Sequence, residues 1–288
     1  MSSETEYVQE EKFYKSSTKQ YVKMSDGAEL LVYYTTTGKH PSGFNIFFVP
    51  GFGTGPFSWN DLWDALHEQF NLYVLETREK RSSRVKWRHK GHFDRLGLDV
   101  KEAIEQLGLD LKKTLLIGPC FGASVLAHAV AKGWVNPAGF VLIDPPQRFK
   151  LPKALMPLAY IFPSFFMAII GKPLLKLWLK ATVPPGIQRT TYMEMTNNAS
   201  GMRWKKMLPI AWWDSLQDYK QIKCPSWVID AATDKMHESE STQFVAKNIE
   251  GTKYVQVPDY NFMHHNPGAK EFAKMIQGFI EELTTDTK

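Results

Sequence analysis

The alternation of apolar and polar positions along the chain predicts strands and helices in turn. Tyr21–Met24 and Leu30–Thr36 flank the turn sequence Ser25-Asp26-Gly27 and predict a hairpin. Phe44–Val49 is apolar at every position but Asn45, the pattern of a strand buried on both faces. Helical spacing of apolar residues appears over Trp59–Phe70, Asp94–Leu107 and Ala269–Leu283, with a further helix near Glu240–Ile249. Leu72–Glu76, Thr114–Ile117, Phe140–Ile143, Trp227–Ala231 and Lys253–Val257 read as strands. Strands alternating with helices imply an α/β chain with a mostly parallel sheet covered on both faces. Such sheets bind ligands beyond the carboxyl ends of their strands.

Three segments depart from this alternation. Residues 1–20 are polar and read as an N-terminal tail. Residues 146–213 read as an insertion between the two parts of the core, 21–145 and 214–288. Within it, Ala154–Gly171 carries no charged residue. Arg78–His92 holds seven lysines and arginines against one acid, Glu79, and reads as a solvated charged loop or an anion-binding one.

Composition narrows the function classes. The chain has 288 residues and a formal net charge of +5, too modest to imply nucleic acid. Two cysteines, Cys120 and Cys224, make no disulfide framework, and Cys224 before Pro225 reads as structural. The first 20 residues hold no apolar run of signal length, so the expected location is cytoplasmic. His89 and His92 lack a third metal ligand. No metal or cofactor is expected, and the oligomeric state is not indicated.

Candidate chemistry centres on Gly118-Pro119-Cys120-Phe121-Gly122, which follows a predicted strand and opens a predicted helix over Phe121–Lys132. A sharp strand-to-helix turn needs neighbours without bulk, which Gly118 and Gly122 supply. A helix N-terminus favours negative charge, and the thiolate is the reactive form of a cysteine. The competing reading is a buried structural thiol in a tight turn.

This stretch, with the order of elements from about Leu30 to Leu283, resembles the α/β-hydrolase superfamily. The resemblance identifies Gly118–Gly122 with the family's nucleophile elbow, Cys120 standing where serine is usual. Val49-Pro50-Gly51-Phe52-Gly53 resembles the family's His-Gly-x-Gly turn, with Pro50 in place of His. By that match the amides of Phe52 and Phe121 form an oxyanion hole. The strand ending near Asp230 resembles the one that delivers the triad acid. Asp234 is the match, with Asp144 after the preceding strand as the alternative. Between the last strand and last helix the family keeps its histidine. Here the usual slots hold Asn261 and Phe262, and His264, with His265 as alternative, stands slightly later. The insertion corresponds to the family's cap, and its apolar character implies a hydrophobic acyl substrate.

The expectation is a hydrolase that cleaves an ester or thioester of an apolar acyl substrate through Cys120, His264 and Asp234. An acyltransferase with an acyl-Cys intermediate is the alternative. The Gly-x-Cys-x-Gly elbow resembles that of polyhydroxyalkanoate synthases, which are acyltransferases, and equally that of dienelactone hydrolases, which are lactone hydrolases; the basic loop would suit coenzyme A phosphates. A non-catalytic binding protein on the same scaffold is the contrasting class. Pro157 and Pro163 argue against a membrane span, and membrane-surface contact through the cap remains open.

Overall fold

The computed structural model describes residues 12–86, 88–89, 91–148, 161–232 and 239–285. Eight strands form one sheet: β1 (Thr18–Lys23), β2 (Glu29–Thr35), β3 (Asn45–Phe48), β4 (Asn71–Leu75), β5 (Thr114–Pro119), β6 (Gly139–Ile143), β7 (Ser226–Ala231) and β8 (Lys253–Val257). Their spatial order is β1-β2-β4-β3-β5-β6-β7-β8. Only the β1–β2 and β2–β4 pairs are antiparallel. Each predicted strand is found, displaced by no more than three residues at either end.

The sheet is filled on both faces by strict alternation. Ile46, Phe48, Leu115 and Ile117 point to one side, where they meet α1 (Lys12–Ser16), α2 (Pro56–Leu66) and α9 (Gly268–Thr285). Phe47, Val49 and Leu116 point to the other, against α3 (Phe93–Leu107), α4 (Phe121–Ala131) and α7 (Ser239–Lys247). α4 is apolar all round and is correspondingly enclosed, with every residue from Phe121 to Ala129 buried.

Two sequence expectations are corrected here. The polar stretch 1–20 is not wholly a tail: α1 and the start of β1 lie within it. Phe13 is buried edge-on against Trp63, and the Asp64 carboxylate accepts from the Lys12 and Phe13 amides. One aromatic anchor among polar neighbours is too little periodicity to register as an element. Nor is the loop after β4 solvated at its start. Arg78 is buried and bonds Asp99 through Nε (2.5 Å) and Nη2 (2.7 Å), and Asp26 through Nη1 (2.6 Å). Lys80 is fully buried and donates to Thr77 Oγ1 at 3.1 Å. These two cations are taken up inside the protein, so they lend no support to a phosphate-binding loop.

The insertion is tied down through that same loop. Arg203 donates to the carbonyls of Arg78 (3.0 Å), Lys80 (2.6 Å) and Ser83 (2.7 Å). Lys206 reaches the carbonyls of Lys86 and His89. Its main helices are α5 (Lys172–Thr182) and α6 (Ile187–Asn198). Much of the 154–171 stretch lies outside the described residues. Where the insertion's apolar side chains are described, several face outward rather than inward, Ile161, Ile169 and Leu177 among them.

Candidate active site

β3 and β5 are neighbours, but the chain between them leaves through β4 on the far side of β3. This is the topological switch point of the sheet, where a crevice opens beyond the carboxyl ends of the strands. A cavity of about 130 Å³ lies there. Cys120, Asp144, His264, Phe52, Tyr192 and Met195 are among its lining residues.

Cys120 sits between β5 and α4 at φ +47°, ψ −113°. A non-glycine residue at positive φ is strained and persists only where its surroundings over-determine it. Here the Cys120 amide donates to the Ile143 carbonyl at 2.8 Å, which ties the turn to β6. The flanking glycines leave no alternative. A Cβ on Gly118 would lie 2.6 Å from the Ala123 nitrogen, and one on Gly122 only 1.8 Å from the Val49 carbonyl oxygen. The turn is therefore wedged between α4 and the end of β3, with Cys120 half-buried at the N-terminus of α4.

The turn after β3 faces this elbow. The Thr54 amide and hydroxyl both donate to the Gly51 carbonyl, at 3.1 and 2.9 Å. Gly53, at φ +68°, donates its N–H to Glu79 Oε1 (3.2 Å) and accepts from Asn198 Nδ2 (3.0 Å). Phe52 thus rides on a turn fixed from below by Glu79 and from above by α6. Its ring meets that of Phe121 edge-on at 5.7 Å. Phe121 is the first residue of α4, so its amide lies at the N-terminal end of that helix, where the helix dipole favours negative charge.

His264 ends a one-turn helix, α8 (Tyr260–His264), capped by Asp259, whose Oδ1 accepts from the Phe262 amide at 2.9 Å. The ring is held between Tyr260 (centroids 3.9 Å, 12° between planes) and Trp59 (3.9 Å, 38°). Its Nδ1 lies 2.5 Å from the Ser58 carbonyl oxygen. His265 does not line the cavity. It is buried on the side of α2, and burial pushes its imidazole below the usual range while the nearby Asp61 charge opposes this.

Asp144 stands at the end of β6 at φ +43°, buried, with Oδ1 accepting from the Ala231 amide at 3.0 Å. It shares the cavity with Cys120 and His264, so the alternative acid is brought to the site. Asp234 lies outside the described residues. Cys224 is remote from the cavity, and burial pushes its thiol up to about 11.

Ser58, Trp59, Tyr260 and Glu79 were not read from the sequence as parts of this arrangement. Tyr260 carried a usable signal: Asp259 is a helix-capping residue type, and Tyr260 and His264 are four apart. Glu79 carried one too, as the sole acid of a basic loop. The Ser58 contribution is a backbone oxygen and has no side-chain signature.

A model of the alpha/beta hydrolase family matches residues 46–273, and the chain belongs to that family. Solved structures with the same fold include a thermophilic esterase from Thermogutta terrifontis (TM-score 0.73, 18% identity, covering 92% of this chain and 99% of that one). An esterase from Exiguobacterium antarcticum is similar at TM-score 0.73 and 13% identity, covering 92% and 100%. The enol-lactonase from Burkholderia xenovorans LB400 is similar at TM-score 0.71 and 18% identity, covering 91% and 100%. No curated protein matches the sequence.

Proposed function

We propose that the chain hydrolyses esters or thioesters of small apolar acyl groups, with Cys120 as nucleophile and His264 as base. The observation that carries this reading is that a half-buried cysteine on a strained turn and a clamped imidazole line one apolar cavity at the switch point of the sheet. The carbonyl of Ser58 only accepts, so the neutral ring carries its proton on Nδ1 and its basic lone pair on Nε2. In the proposed cycle Nε2 takes the Cys120 proton and the thiolate attacks the acyl carbon. The oxyanion is stabilised by the Phe52 and Phe121 amides, and the leaving alcohol or thiol departs with the imidazolium proton. Water activated by the same nitrogen then hydrolyses the thioester and returns the free thiol.

Asp144 is the carboxylate we assign to stabilising the imidazolium, because it lines the same cavity. The family match of Asp234 is the competing assignment. The cavity size supports a short acyl group: a void of roughly 150 Å³ accepts a benzene-sized molecule, and this one is about 130 Å³.

The test is turnover of p-nitrophenyl acetate, butyrate and palmitate, with intact-mass detection of acylated protein. The reading expects an acyl adduct confined to Cys120, loss of turnover in Cys120→Ala, and preference for the two short esters. Turnover that survives Cys120→Ala overturns the assigned nucleophile. Absence of both turnover and adduct favours the non-catalytic binding protein.

A further inference from the structure

Helix α5 is amphipathic in the reverse sense. The residues facing the protein are Lys172, Lys176 and Leu179, at spacings of four and three. Lys172 Nζ bonds the carbonyls of Ala199 and Asn197, and Lys176 Nζ donates to Asn197 Oδ1 at 2.6 Å. The opposite face, Leu174, Leu177 and Trp178, is left in solvent at 59%, 64% and 49% exposure. Ile161 and Ile169, just before the helix, are 74% and 66% exposed. A helix that turns Lys172 and Lys176 inward and Leu174 and Leu177 outward departs from the faces expected on a soluble surface. Contiguous exposed apolar surface of this kind marks an interaction site.

Charge decides between the candidate occupants. Residues 146–213 hold ten lysines and arginines and one acid, Glu194. With +5 for the whole chain, everything outside this segment is net acidic. Lys172 and Arg203 bond carbonyl oxygens, contacts that do not neutralise their charges. Lys180 is exposed at the end of the apolar face. A second copy of this chain would set one cationic segment against another. An anionic lipid surface offers negative charge and an apolar boundary together, and aromatic, leucine and lysine side chains suit that interface. No helix among the described residues is long and apolar enough to cross a membrane, so the contact is one of lying on the surface.

We propose that the outward face of α5, with the residues leading into it, docks on anionic phospholipid membranes. The cap then links the lipid surface to the cavity, since α6 receives the α5 lysines at its end and lends Tyr192 and Met195 to the cavity wall.

The experiment is co-sedimentation of the full chain with phosphatidylcholine vesicles, alone and containing phosphatidylglycerol, at low and high salt. Light scattering gives the oligomeric state of the same samples, and circular dichroism melting their folding. Binding is expected to need phosphatidylglycerol and to weaken with salt. It should fall about tenfold in Lys180→Glu and be lost in the double variant Leu177→Asp/Trp178→Asp, with the melting transition retained. Failure to bind anionic vesicles overturns the proposal, as does binding unchanged in both variants. A dimer in solution that the double variant splits also overturns it, in favour of a self-interface.

Discussion

The Ser58 carbonyl oxygen stands against Nδ1 of His264, at 2.5 Å. With the Tyr260 and Trp59 rings packed on it, this contact sets the tautomer and the plane of the imidazole. A carboxylate at such a site would add charge stabilisation only.

Asp144→Asn should therefore lower kcat by roughly 10- to 100-fold, well short of the roughly 10⁴-fold cost of removing an acid that also sets the tautomer. Asparagine keeps the oxygen that accepts from the Ala231 amide and tolerates the positive φ, so melting should be little changed. Steady-state kinetics beside Asp234→Asn decide the assignment. The Asp144 change should be the more costly, and the reverse order returns the role to Asp234.

Glu79 is a positioning residue for the turn that carries Phe52, through its 3.2 Å bond from the Gly53 amide. Glu79→Ala should reduce kcat roughly tenfold with KM nearly unchanged, because the turn serves the transition state more than the bound ester. A proportional rise in KM instead would mean that Glu79 shapes substrate binding.

Much of this arrangement was legible beforehand, for reasons specific to particular residues. Short runs that are apolar on both faces, such as Ile46–Val49, have one good solution, a strand buried on both faces. The glycines around Cys120 flank a turn with no room for a Cβ. The start of the basic loop departs from the expected solvated face, because charge in sequence carries no partner, while Arg81, Arg84, Lys86 and Arg88 are exposed as expected. Asp26 and Asp99, which enclose Arg78, come from a hairpin turn and a helix far away in the chain. The outward face of α5 was equally hidden, since periodicity gives two faces and packing decides which is inside.

That burial has an energetic consequence. Arg78→Met leaves Asp99, buried and already held well up at about 6 by desolvation against its arginine bonds, without its main partner. Breaking a buried pair from one side costs about 3–5 kcal/mol. Urea denaturation should register a loss of that order. A change below about 1 kcal/mol would show that the cluster relaxes or hydrates.

His265 predicts a pH dependence of stability. Burial lowers its folded-state pKa below the ordinary 6.5, so the folded protein prefers the neutral ring. Its contribution is complete above 6.5 and is lost as pH falls from there through the folded value. The stability difference between the wild type and His265→Asn should therefore shrink from pH 7.5 to pH 5.5. A difference constant across that range would mean that the ring is not desolvated.

The most direct test of the Cys120–His264 pair is the rate of iodoacetamide labelling of Cys120 as a function of pH, in the wild type and in His264→Ala. Cys224 serves as the internal reference, its thiol being held up to about 11. Proton transfer to Nε2 predicts labelling of Cys120 at pH 6 to 7 at least tenfold faster in the wild type than in the variant. Labelling that is equally slow in both proteins, and rises only with alkali, would contradict it.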